Sequence, residues 1–257
     1  SYEMSGRLAG RVCVVTGSGQ GMGRVSAVEM AREGGKVVVA DTNEKACRET
    51  VSLIEDEGNT AAFIRVDLRD GASIKALMDE AARLFGGINV VHANAAVHES
   101  DLTPRTSIEE LDEDIWDLVN DINLKSVWLC TKHAVPYLKD AQSPAIVNVA
   151  STGAEVSYPM AGAYCATKGG VRMLTKASAT DLAKFGIRVN CYGPGAIRTP
   201  MLEKYLAAAD DPAAIEKFLR GAHLIPRLGE PEEVAKLAVF LACDDSSFVN
   251  GAYYPID

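Results

Sequence analysis

Tyr164 and Lys168 stand four residues apart in Tyr164-Cys-Ala-Thr-Lys168, a spacing that makes them neighbours on one face of a helix. A free phenol has a pKa of about 10, too high for efficient proton exchange at neutral pH. A nearby ammonium favours the phenolate and lowers that value, so the pair has the chemistry of a general acid/base. Ser151 lies thirteen residues upstream of the tyrosine, just beyond the β-branched run Ala145–Val149. Its hydroxyl suits a substrate carbonyl or alcohol oxygen held beside the phenol. Asn123, in Asn120-Asp-Ile-Asn-Leu-Lys-Ser126, can either bend the preceding helix or order a water behind Lys168.

A second group of residues points to a nucleotide. Thr16-Gly17-Ser18-Gly19-Gln20-Gly21-Met22-Gly23 follows a TGxxxGxG spacing rather than GxGxxG. Glycines in such a turn let the backbone bend tightly and approach a pyrophosphate, while the helix that follows offers free N–H groups and a positive dipole end. The run follows a strand and opens a helix, so Gly17, Ser18, Gln20, Gly21, Met22 and Gly23 are read as dinucleotide-binding. Asp41 ends the next strand, near the roughly 20-residue offset at which a carboxylate meets the adenosine ribose. Its charge accepts hydrogen bonds from ribose hydroxyls and repels a 2′-phosphate, and neither Gln20 nor Thr42 is basic. NAD is therefore expected as the cofactor rather than NADP.

The elements that must position these groups alternate along the chain. Strands are expected at 11–16, 36–40, 61–66, 88–92, 145–149, 187–191 and 252–256. Helices are expected at 21–33, 44–57, 72–85, 112–138, 161–184 and 231–242. Short apolar strands without clean alternation suit a parallel sheet covered on both faces, and strict β-α order gives right-handed crossovers and a doubly wound sheet. No linker or repeat divides the chain, so residues 1–257 are read as one domain. The irregular stretch Gly193–Arg227, with four prolines and two short helical patterns, is read as a substrate loop. Ser1–Glu3, ahead of Met4, are read by position as an appendage.

Taken together, these pieces resemble the short-chain dehydrogenase/reductase (SDR) family in its NAD-preferring form. The resemblance rests on TGSGQGMG at 16–23, Asp41, Val66-Asp67-Leu68, Ala93-Asn94-Ala95-Ala96, Asn123, Ser151, YCATK at 164–168 and PGAIRTPM at 194–201. It implies a single Rossmann-type α/β domain with a seven-stranded parallel sheet, and hydride transfer between C4 of nicotinamide and a substrate carbon. It assigns Tyr164 as general acid/base and Ser151 as ligand of the substrate oxygen. Lys168 would bind the nicotinamide ribose and tune Tyr164, and Asn123 would belong to the proton relay. Asp67 and Leu68 would flank the adenine, and Asn94 with Ala95 would line the cofactor cleft. Pro194, Gly195, Ile197 and Thr199 would border the nicotinamide, the last two at its carboxamide. The family also implies a homotetramer built through the helices at 112–138 and 161–184. Two departures stand out: ANAA replaces the usual NNAG, and Ala150 replaces a frequent second serine.

Composition narrows the rest. A net charge of −9 and no Lys/Arg run argue against nucleic acid or an anionic membrane as partner. No uncharged stretch reaches the ~20 apolar residues of a membrane helix, and no charged-then-apolar leader opens the sequence. The six cysteines form no CxxC pair and are read as reduced thiols of a cytoplasmic protein. The four histidines show no metal-ligand spacing, so no metal is expected, and each is read as an ordinary surface or core imidazole. A serine hydrolase is disfavoured because Val149-Ala-Ser151-Thr-Gly153 lacks the first glycine of GxSxG. A non-catalytic dinucleotide-binding protein is disfavoured by the intact Ser151, Tyr164 and Lys168. Val156, Tyr158, Met160, Met201, Leu202, Tyr205 and Leu206 suggest an apolar substrate pocket. The expected substrate is a small-molecule secondary alcohol or ketone, hydrophobic and cyclic or aryl. The alternative is an NADPH-dependent carbonyl or 3-oxoacyl reductase.

Overall fold

The computed structural model describes residues 6–207 and 209–257, without the side chains of Lys204 and Tyr205. Ser1–Glu3, Met4 and the Tyr205 side chain thus lie outside the described residues. Seven strands form one sheet, all parallel: β1 (Val12–Thr16), β2 (Lys36–Asp41), β3 (Thr60–Arg65), β4 (Val90–Ala93), β5 (Ala145–Val149), β6 (Arg188–Pro194) and β7 (Tyr253–Ile256). Their order is β3-β2-β1-β4-β5-β6-β7. The chain winds outward from β1 in one direction, then returns to β4 and winds in the other. That reversal places a crevice beyond the carboxyl ends of β1 and β4, where open α/β sheets bind ligands.

The strands sort their side chains by the two-residue pleat. Cys13, Val15, Val37 and Val39 enter one core cluster with α1 (Gly21–Arg32), α2 (Glu44–Asp56) and α9 (Pro231–Ala242). Val14, Val38 and Ala40 enter the other, with α3 (Gly71–Phe85), α5 (Ser126–Leu138) and Ala179 of α6 (Gly162–Leu182). Both faces of β1 are therefore buried, and its run of apolar residues lacks any polar alternation. Local chemistry marks the helix starts. Asn43 accepts from the Ala46 N–H ahead of α2, Asp70 from the Ala72 N–H ahead of α3, and Glu230 with Glu233 forms a capping box on α9. Such caps contribute about 1 kcal/mol each.

Where the sequence suggested one helix over 112–138, the structure has three pieces. α4 (Glu113–Asn120) runs into a π-helical turn over Asp121–Lys125, which continues as α5. A π-turn widens a helix by one residue and redirects the side chains on it, here turning buried Asn123 toward α6. The two short patterns in 193–227 are α7 (Pro200–Ala207) and α8 (Pro212–Gly221).

Candidate active site

A cleft of about 790 Å³ opens beyond the carboxyl ends of β1 to β4. Gly17, Gln20, Gly21, Met22 and Gly23 form one wall, with Asp41 and Thr42 from the end of β2, Asp67 and Leu68 after β3, Asn94 and Ala95 after β4, and Tyr164 and Thr199 opposite. The glycine turn is held from two sides. Gly17 has φ +63°, and a Cβ there would stand 2.8 Å from the Ala95 Cα. Gly23 has no room either: a Cβ would meet the Gly17 carbonyl oxygen at 2.1 Å and Asn94 Nδ2 at 2.5 Å. Asn94 donates to that same carbonyl at 3.3 Å, and Thr16 Oγ1 accepts from the Asn94 N–H at 3.1 Å. Gly23→Ala should therefore distort the turn and cost about 1–3 kcal/mol. At about 2–4 °C per kcal/mol for a chain of this size, a thermal melt should fall by several degrees and dinucleotide affinity should drop with it; an unchanged melt and affinity would contradict this close packing.

The charges near the turn are largely committed. Arg24, on α1, donates to the carbonyls of Gly19 (2.6 Å) and Ala46 (3.1 Å), to Thr50 Oγ1 (3.0 Å) and to Glu49 (3.1 Å). Arg69 also lines the cleft and pairs with Asp67 through two nitrogens, at 3.0 and 2.9 Å, which holds the Asp67 carboxyl below its ordinary pKa. Asp41 accepts from the Thr42 N–H at 2.7 Å.

At the far end, Tyr164 stands on the first turn of α6, and Ser151, just after β5, acts to lower the pKa of its phenol. Ser151 Oγ also accepts from the Gly153 N–H at 3.0 Å, and its carbonyl receives the Tyr253 hydroxyl at 3.0 Å. Lys168, buried one turn along α6, donates to the Val149 carbonyl at 2.9 Å and stands 5.6 Å from the centre of the Tyr164 ring. Asn123 accepts from the Val97 N–H and donates to the Val97 carbonyl, both at 2.8 Å, and donates to Thr167 Oγ1 at 3.3 Å. Thr167 in turn donates to the Tyr164 carbonyl at 2.8 Å. Of the two readings of Asn123, the local helix does depart from α geometry there, and its side chain is occupied by protein groups.

The structure adds detail to four of the expectations. Ser18 does not reach the cleft with its side chain: it is fully buried, donating to the Val15 carbonyl at 2.7 Å and accepting from the Ala40 N–H at 3.1 Å, which staples β1 to β2. Pro194 closes β6 and Ile197 bridges to Gly229, and from the same run Thr199 borders the cleft. Burial, rather than Lys168, governs the Tyr164 phenol and pushes it up to about 12, with Ser151 acting downward and Tyr158, Cys165 and Glu99 adding to the rise. Lys168 itself is drawn down to about 8 by burial, and its ammonium is aimed at a carbonyl. Last, Val156, Tyr158 and Met160 are exposed rather than walls of the cleft, and Leu206 is buried; of the expected apolar lining, Met201 borders the cleft.

The bland reading of the histidines also fails at one position. His98 lines the cleft, its ring 4.8 Å from that of Tyr164. Glu99 beside it is fully buried against α6. Neither carries a spacing signal, because both reach Tyr164 across more than sixty residues of sequence. His92 behaves as expected for a core imidazole: it is bonded to the Tyr192 hydroxyl at 2.8 Å, and burial lowers its pKa to about 3.

Residues 17–257 match the family model described as enoyl-(acyl carrier protein) reductase. The chain is 39% identical to the cis-4-hydroxycyclohexanecarboxylate dehydrogenase of Sinomonas cyclohexanicum, covering 99% of this chain and 98% of that protein. It is 36% identical to the cyclohexanol dehydrogenase of Acinetobacter sp. (strain SE19), covering 99% and 96%. Among solved structures, levodione reductase superposes with a TM-score of 0.90 at 30% identity, covering 97% of both chains.

Proposed function

The chain belongs to the short-chain dehydrogenase/reductase family, and from that premise we propose that it oxidises a cyclic secondary alcohol to its ketone with NAD. The observation that carries the reading is a single cleft with the glycine turn and Asp41 at one end and the phenol of Tyr164 at the other. The residues present fit a dinucleotide. Gly17, Gly21 and Gly23 leave the backbone open to a pyrophosphate, Asp41 can accept from ribose hydroxyls, and Asp67 and Leu68 can border the adenine. Lys168 is assigned to the nicotinamide ribose, and Pro194, Gly195, Ile197 and Thr199 to the neighbourhood of the ring. NAD rather than NADP is favoured by the Asp41 carboxylate and by Arg24 and Arg69 being engaged with protein groups.

When bound, the nicotinamide supplies a hydride acceptor at C4. The chain's own residues do the rest. Ser151 holds the substrate oxygen, and Tyr164 takes the alcohol proton as the carbon loses its hydride, or gives it back in reduction. A phenol near 12 stays protonated at neutral pH, the form that ketone reduction requires, whereas alcohol oxidation needs the phenolate and gains as pH rises toward that value. Lys168, at about 8, is still mostly protonated at neutral pH and so adds positive charge beside the site. Asn123, assigned to the proton relay, is held by Val97 and by Thr167, which in turn bonds the Tyr164 carbonyl.

For the substrate, two relatives are named for hydroxycyclohexane compounds, and Leu102, Leu118, Ile122 and Met201 give the mouth of the cleft an apolar rim. With NAD at 340 nm, cyclohexanol and cyclopentanol should show kcat/KM at least about tenfold above short polar sugar alcohols, as expected from roughly 1.5 kcal/mol or more of extra apolar burial. Sugars turned over faster than cyclic alcohols would overturn the substrate assignment.

A homotetramer is the proposed assembly. Trp116, Trp128 and Met173 are exposed on α4, α5 and α6, the helices through which the family associates, and light scattering should give four times the 27.4 kDa chain mass. Among the described residues no helix is long and apolar enough to cross a membrane and no group of three His, Cys, Asp or Glu could hold a metal. A cytoplasmic enzyme acting on small molecules, without nucleic-acid or membrane partners, is the accompanying proposal.

A further inference from the structure

We propose that Glu99 is a positioning residue for the reaction: its buried carboxylate holds the first turn of α6 and so fixes where the Tyr164 phenol stands. The inference rests on Tyr164 as the group that exchanges the proton. The first N–H groups of any helix lack partners within it, and Ala161, at the N-cap of α6, has no side chain to offer one. Glu99 fills that role from a distant 3₁₀ turn, Glu99–Asp101. Its Oε1 accepts from the Ala163 N–H at 3.0 Å, and its two oxygens stand 3.3 and 3.2 Å from the N–H of Tyr164 itself.

A fully buried carboxylate is costly unless it is well paired. Here two backbone donors and the positive end of a helix of twenty-one residues compensate it. The segment that delivers it is gripped from behind, because Asn123 bonds both the N–H and the carbonyl of Val97. Between these anchors His98 lays its ring against Tyr164, with Nδ1 accepting from the Ser100 N–H at 3.1 Å. Residues 97–99 therefore form a strap from the π-turn to the catalytic helix, and Glu99 is its clasp.

The clasp is charged as well as geometric. The groups facing the Tyr164 phenol are Ser151 and Tyr158 from the segment after β5, Cys165 and Lys168 from α6, and His98 and Glu99 from the strap. Burial does most to hold the phenol in its protonated form, and the Glu99 charge adds to that. A Glu99→Gln variant keeps a carbonyl acceptor for the two N–H groups and removes the charge, so it separates the two contributions. A negative charge near a phenol disfavours phenolate; taking it away lets the phenolate form at lower pH.

The test uses the full chain and compares pH profiles of kcat/KM for cyclohexanol oxidation with NAD. E99Q should move the midpoint of the rising limb to lower pH by about half a unit or more. Glu99→Leu, which removes the acceptor too, should lose about tenfold or more in kcat through misplacement of the phenol, with the NAD Kd from fluorescence titration nearly unchanged. A merely structural residue would lower stability without shifting the midpoint. An E99Q midpoint that coincides with that of the parent overturns the proposal, as does an E99L enzyme with undiminished kcat. If E99L fails to fold, the E99Q midpoint decides alone. Tyr164→Phe run alongside separates the two claims: retained activity there defeats the acid/base reading, whereas an inactive Y164F with an unmoved E99Q midpoint defeats the role of Glu99.

Discussion

Tyr164→Phe is expected to lower kcat by a factor of about 10² to 10⁴, the range a positioned general acid/base supplies, while leaving the affinity for NAD nearly intact. The substitution removes one oxygen. The ring that packs at 4.8 Å from His98 remains, the N–H bonded to Glu99 remains, and α6 keeps its start. What goes is the hydroxyl whose pKa Ser151 acts to lower, and with it the atom assigned to accept the alcohol proton. Single-turnover rates and a fluorescence titration with NAD separate the two effects. Activity above about a hundredth of the parent would show that another group, or water, carries the proton. The pH dependence adds a second check. With the phenol held up at about 12 by burial, oxidation should rise through the alkaline range, and reduction, which needs the protonated phenol, should persist there until that value is approached.

Asp41→Ala is expected to change the ratio of kcat/KM for NAD over NADP by roughly ten- to hundredfold toward NADP. A loss and a relief act together. The variant forfeits charge-assisted hydrogen bonds to the ribose hydroxyls, worth about 1.5–3 kcal/mol, and relieves the repulsion of a 2′-phosphate. Asp41 lies at the end of β2, against the glycine turn: a Cβ on Gly19 would stand 3.2 Å from its Oδ2. No new cation takes its place, since Arg24 stays bonded to Gly19 and Ala46. The variant should therefore lose most with NAD and gain modestly with NADP. A parent enzyme that already prefers NADP, or a ratio unmoved in D41A, would contradict the role given to the carboxylate.

The glycine turn at one end of the cleft was legible in the sequence because its signals are local. Glycines at 17, 21 and 23 are required by turn geometry within a few residues, and Asp41 follows from the length of one βαβ unit. The strands were legible for the same reason, each being a short apolar run between helical patterns, with β5 and α9 falling at the expected bounds. What escaped depends on contacts across the fold. Ser18 looks like part of a phosphate loop, yet its hydroxyl is turned inward to the Val15 carbonyl. The YxxxK spacing puts Lys168 beside Tyr164, but how far each is buried, which decides both pKa directions, is set by the sheet and by α6 packing over it. Residues 121–125 read as ordinary helix, since a π-turn has no composition of its own. Glu99 reads as a loop acid, and only the folded chain brings it to the N-terminus of α6.

The central claim is that this cleft carries a hydride from the carbinol carbon of a cyclic alcohol to NAD. Incubating the enzyme with NAD and cyclohexanol bearing deuterium at the carbinol carbon tests it most directly, read by NMR of the reduced cofactor together with the amount of ketone formed. One deuterium is expected at C4 of the nicotinamide for each cyclohexanone produced. Cyclohexanone formed without label at C4, or no oxidation of any cyclic alcohol with NAD, would contradict it.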